Sequence, residues 1–181
     1  MWEIYGVCRD YEHRMRNSRK KRNQRKGCVG SVMTAEETEK SMDHVNDQYK
    51  RLNKAFRGRF YLEAVFIEYM LMDDYMEMIL TATDLWQSYL KKRRGHEPAL
   101  DSKIRYIQTE AVNSRTVVKK YFGDDLLDRI LAWKVKRCKL MMASVKQYLA
   151  AEYVQSIAEE GKELTSLMRR RCMSVRKASN K

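Results

Sequence analysis

Apolar residues recur at intervals of three and four along most of this chain, the spacing that lines up one face of an α-helix. From Asp124 to Leu149, Leu126, Ile130, Trp133, Arg137, Leu140 and Ser144 form one stripe, and Leu127, Leu131, Cys138, Met141, Val145 and Tyr148 form its neighbour. Phe60 to Leu80 is apolar around most of its circumference, so the helix predicted from about Arg59 to Arg94 is the central one. It carries Glu63, Glu68, Asp73, Asp74 and Glu77, which would be costly in lipid, so it reads as a buried bundle helix and not a membrane span.

Four further helices flank it. A capping box of Thr34 and Glu37 starts a helix to about Arg57, whose sparse stripe is Met42, Val45, Tyr49, Leu52 and Phe56; Gly58 bends or ends it. Gly95 and Pro98 form a turn, after which Asp101 or Ser102 caps a short helix through Ile107 that packs Ile104 and Tyr106. Residues 109–122 follow, with Val112, Val117, Val118 and Tyr121 as apolar contacts and Gly123 as the stop. A last helix from about Ala151 to Arg171 uses Val154, Ile157, Leu164 and Leu167, slightly weakened by Gly161. No run alternates as a strand would, and one proline and seven glycines leave helix favoured throughout. The expected fold is all-α, a helical bundle with a basic helical N-terminal arm. Its parts are the arm at 1–32, an amphipathic connecting helix at 33–57, the bundle at 58–172 and a basic tail at 173–181.

Charge sharpens this division. Residues 1–32 hold nine Lys or Arg against three acids, residues 168–181 hold six against none, and the segment between them is nearly neutral. Arg14, Arg16, Arg19, Lys20, Lys21, Arg22, Arg25 and Lys26 fall in thirteen residues without an acid. Such a cluster repels itself unless counter-ions or a polyanion are near, which makes it either a solvated arm or, the stronger reading, a nucleic-acid contact. Aromatic interleaving is thin there, with Trp2, Tyr5 and Tyr11 upstream.

Arg137 stands out because it shares a stripe with Leu, Ile and Trp. A guanidinium cannot be neutralised, so there it finds carboxylates, lines an anion site, or snorkels past Trp133 to solvent. Glu63 and Glu68 of the central helix are the expected partners. The methionines Met70, Met72, Met76, Met78, Met141 and Met142 read as core filling. No Walker, GxGxxG, HExxH or GxSxG motif occurs, nor the Glu-x-x-His pairs of a di-iron bundle. A zinc site from Cys8, His13 and Cys28 lacks a fourth ligand. No metal or cofactor is expected. Cys8, Cys28, Cys138 and Cys172 form no CxxC pair and read as reduced thiols; with no signal peptide evident, the expected location is the cytoplasm.

Leu126 to Met142, with its LLDRI, Trp133 and KR-x-x-L, resembles the motif helix of the HEPN superfamily, helical domains of toxin–antitoxin and CRISPR-linked RNases. The helix FYLEAVFIEYMLMDDYMEMIL is similar to the opening helix of HEPN-like proteins, and the likeness covers roughly residues 58–172. The resemblance implies RNA or a ribonucleoprotein as partner, with Lys136 and Arg137 joining the arm in nucleic-acid contact. It also implies a homodimer with facing motif helices, placing Trp133, Arg137 and Met141 at the interface. HEPN nucleases carry Arg, four to six residues, then His; counting from Arg137, those positions hold Met142, Ala143 and Ser144. The expectation is therefore a non-catalytic protein that binds RNA or an RNA–protein complex of a defence system. A protein-binding adaptor or inhibitor, or an RNase using other residues, are the alternatives.

Overall fold

The apolar helix predicted at the centre lies at the centre of the bundle, its buried side chains including Ala64, Val65, Leu71, Met72, Met76, Ile79 and Leu80. A computed structural model describes residues 35–92, 99–113, 117–146 and 149–179. The basic arm with Arg14 through Lys26, the cysteines and histidine proposed for zinc, Thr34, the Gly95 to Pro98 turn and Tyr148 lie outside the described residues. The chain divides into two units, Met1–Met42 and Asp43–Lys181; the second is the bundle.

Among the described residues there are seven α-helices and no strand: α1 (Ala35–Arg57), α2 (Tyr61–Ala82), α3 (Trp86–Lys92), α4 (Leu100–Asn113), α5 (Val117–Tyr121), α6 (Leu126–Lys146) and α7 (Ala151–Ser179). The all-α bundle is as the periodicity predicts. No helix among the described residues is long and apolar enough to cross a membrane. The most extensive packing joins α2 to α7, which buries Ile157, Ala158, Leu164, Met168, Cys172 and Val175; α6 adds Leu126, Leu127, Ile130, Trp133 and Leu140. Burying each large apolar side chain stabilises the fold by about 1.5–3 kcal/mol. On α1, Val45, Leu52 and Ala55 are buried, so from Asp43 onward this helix contributes to the bundle's core.

Two predicted boundaries move, for tertiary reasons. The helix expected to run from Arg59 to Arg94 is broken at Asp84 (φ 57°), where Leu85 N–H bonds Leu80 C=O at 2.9 Å and Asp84 N–H bonds Thr81 C=O at 3.1 Å. This is a Schellman ending with aspartate in the position glycine usually fills, so neither glycine nor proline marks it. Thr83 Oγ1 reinforces it by donating to Ile79 C=O at 2.8 Å. The basic tail expected after residue 172 is no tail: α7 continues to Ser179 and turns Val175 fully into the core. In addition, α4 runs unbroken to Asn113, and Val112, expected as a core contact, is 76 % exposed.

One charge is buried by design of the packing. Lys103 on α4 is 1 % exposed and reaches α2, where Nζ lies 3.0 Å from Asp73 Oδ1 and 3.2 Å from Glu77 Oε2. Burial works to lower its pKa, but the two carboxylates and their hydrogen bonds outweigh burial and hold it above the ordinary lysine value. The ammonium pins α4 to α2.

Candidate functional site around Arg137

The α6 periodicity places Leu126, Ile130, Trp133, Arg137 and Leu140 on the buried face. The last turn of α6 departs from expectation on both stripes: Ser144 is exposed and Val145 is 84 % exposed. Trp133 is fully enclosed, its indole N–H donating to Ile157 C=O of α7 at 2.9 Å, which ties α6 to α7. Arg137 is 5 % exposed.

What shelters Arg137 is aromatic. Its Cζ lies 4.0 Å from the ring centroid of Tyr69 and 5.5 Å from that of Phe66, both on α2. Ring faces are electron-rich, so they stabilise a cation without a formal negative charge. The expected carboxylate pairing is absent: Glu63 lies 3.7 Å from Arg51 instead, and Nε of Arg137 has no hydrogen-bond partner among the described residues. The guanidinium is held against the α2 rings, with Arg137 5 % exposed and its Nε fully buried.

Glu68, the other predicted partner, is fully buried on α2 beside α6 and α7, and neither carboxyl oxygen has a hydrogen-bond partner among the described residues. Burial pushes its pKa up to about 9, against the opposing pull of the Lys162 ammonium. The group is a neutral carboxylic acid near pH 7. Its carboxyl fits against Gly161, a use of that glycine which helix propensity alone does not anticipate.

These positions revise the site read from the sequence. Of the three interface candidates, Trp133 is fully buried, Arg137 is nearly so and packs on the α2 rings, and Met141 keeps partial exposure. Lys136 is exposed but engaged, its Nζ 2.7 Å from Glu160 Oε2. Where a HEPN nuclease would carry histidine, Met142 and Ala143 are half-buried and Ser144 donates to Met141 C=O at 2.9 Å. Cys138 and Cys172 are buried, and burial pushes the Cys172 thiol up to about 12, far from a reactive thiolate. Among the described residues no group of three or more His, Cys, Asp or Glu could hold a metal ion.

The C-terminal basic set is partly committed as well. Arg169 stacks over Tyr49 at 4.5 Å and donates to Asn46 Oδ1 at 3.2 Å, beside an open polar groove lined also by Asp43, Asp47 and Lys50; Arg171 pairs with Asp124. Arg170 and Lys177 remain exposed. The groove depends on α1 meeting α7, which the periodicity of neither helix reveals. No protein-family model, curated protein or solved structure matches this chain.

Proposed function

We propose that this protein is a non-catalytic, HEPN-like helical protein that binds RNA, alone or within a ribonucleoprotein, chiefly through its basic N-terminal arm. The observation that carries the reading is charge segregation: eight positive residues and no acid from Arg14 to Lys26, beside a segment 33–167 with 22 bases against 21 acids. Ion pairing within the bundle supports it, because Lys103, Lys134, Lys136 and Arg129 are matched to Asp73, Asp101, Glu160 and Glu163. The surplus of cations is thus left to the arm and the exposed rim. The non-catalytic part draws support from Arg137, whose guanidinium is stacked on rings and lacks an imidazole partner at the three motif positions. A defence-system assembly of CRISPR or toxin–antitoxin type is the setting that the HEPN resemblance suggests.

The test is fluorescence anisotropy with labelled RNA across a salt series, on the full chain. If the arm neutralises about six phosphates, the log–log salt slope is about 4 to 5, and replacing Arg19, Lys20, Lys21 and Arg22 with glutamine lowers it by about 3. A slope unchanged by those four substitutions would favour the protein-binding adaptor. RNA incubated with the protein in EDTA is expected to stay intact; cleavage that is lost in Arg137→Met would overturn the non-catalytic reading.

A further inference from the structure

The corner between α1 and α2 combines charge, an exposed ring and an unusual backbone. Residues 50–62, KRLNKAFRGRFYL, hold five positive residues and no acid. Lys54, Arg57 and Arg59 are exposed; of the run's other two cations, Lys50 pairs with Asp47 at 3.0 Å and Arg51 lies 3.7 Å from Glu63, all between largely exposed side chains. Phe60 is 63 % exposed at the tip.

The backbone presents these groups at the expense of its own comfort. Phe60 N–H bonds Ala55 C=O at 2.9 Å and Arg59 N–H bonds Phe56 C=O at 3.1 Å, the pair of bonds of a Schellman ending. Its left-handed position is held by Arg59 (φ 57°), where glycine is the usual occupant. Glycine stands one residue earlier, at Gly58, for a different reason: a β-carbon there would lie 2.5 Å from Cε2 and 2.6 Å from Cδ2 of Phe60. Gly58 therefore seats the Phe60 ring against the backbone, while Arg59 carries a charge at a position that disfavours side chains. Strain of this kind is a pointer to function where the groups it presents have a use. Beneath the tip, Phe56 meets Tyr61 edge to face at 5.9 Å, and Lys162 lies 4.3 Å from the Phe56 ring.

We infer that this corner is a binding site for single-stranded RNA, in which Phe60 stacks on an unpaired base while Lys54, Arg57 and Arg59 hold the flanking phosphates. The inference rests on the RNA-binding reading above and adds a contact on the bundle that discriminates single strands from duplex. A duplex keeps its bases stacked inside, so only unpaired nucleotides can use the ring. A lipid surface fits less well: Phe60 and Leu62 are the corner's exposed large apolar side chains, far short of the apolar face an interfacial helix buries.

The test measures binding of the full chain to labelled single-stranded oligouridylate, to duplex RNA and to vesicles containing phosphatidylserine, each across a salt series. Phe60→Leu keeps an apolar group on Gly58 but removes the π face, and is expected to weaken single-strand binding roughly 5- to 150-fold without changing the salt slope. Phe60→Trp should retain affinity, and duplex affinity should be the same in all three. Arg57→Gln with Arg59→Gln should instead lower the slope by about 1 to 2. Circular-dichroism melts check that each variant is folded; if Phe60→Leu is not, the comparison of Phe60→Trp and Phe60→Tyr with the slope of the arginine pair decides. Corner variants that bind like the parent, while the arm substitutions lower the slope, overturn this site and leave the arm's role standing. Absence of RNA binding by the parent overturns both, and loss of vesicle binding alone in the Phe60 variants assigns the corner to membranes instead.

Discussion

The carboxyl group of Glu68 lies against the α-carbon of Gly161, in space that any side chain at that position would occupy. A β-carbon on residue 161 would overlap Glu68 Oε2 and stand 2.7 Å from Cζ2 of the buried Trp133 ring. Three helices, α2, α6 and α7, meet at this point, and the missing side chain is what lets them close.

Gly161→Ala is therefore expected to destabilise the protein although it lies in mid-helix, where alanine is better than glycine by about 1 kcal/mol. Overlap with a fully enclosed tryptophan should exceed that gain and leave a net loss of about 1–3 kcal/mol. Urea melts of the single variant measure it. A more stable Gly161→Ala would show that the three-helix contact is looser than described.

Glu68 makes stability depend on pH with a definite sign. Its folded-state pKa, raised to about 9 by burial, lies above the unfolded value near 4.5, so between these limits the native state holds a proton that the unfolded state has released. This contribution is fully present below about pH 4.5, falls through the window by at most about 1.4 kcal/mol per pH unit, and is gone above about pH 9. Glu68→Gln should flatten the fall, so that the variant gains on the parent from pH 5 to pH 8. Parallel dependence in parent and variant would remove Glu68 as its source.

For Arg137, shape and charge can be separated. Arg137→Met keeps most of the side-chain volume and loses the attraction to Tyr69 and Phe66, for an expected loss of about 0.5–2 kcal/mol. Arg137→Ala also empties buried space and should reach about 2–5 kcal/mol. If methionine stabilises the fold, desolvation of the guanidinium outweighs its stacking.

Arg59→Gly relieves the left-handed backbone at the α1–α2 corner. Relief of about 1–2 kcal/mol, less about 0.4–1 kcal/mol for glycine's extra freedom in the unfolded chain, predicts a modestly more stable protein. Asp84→Gly should gain less, because aspartate enters that conformation more readily than arginine does. Thermal melts of the two variants compare them, and a destabilised Arg59→Gly would mean that the arginine side chain holds the corner in place.

Along most of α6, local spacing alone determined the buried face: Leu126, Ile130, Trp133 and Leu140 lie inside as their three- and four-residue intervals require, because helical periodicity is set within a few residues. The same spacing placed Arg137 on the inner face but could not choose its neighbour. Tertiary structure decided that Arg137 stacks on Tyr69 and Phe66 rather than pairing with Glu63 or Glu68, since the choice depends on how α6 is rotated against α2. It likewise ended the central helix at Asp84 without glycine or proline, and drew Val175 of the basic C-terminal segment into the core. The charge runs of 14–26 and 50–62 were plain in the sequence. That the second run surrounds an exposed phenylalanine on a strained turn emerged only where α1 stops and α2 begins, because exposure and backbone strain belong to the packed chain and not to its composition.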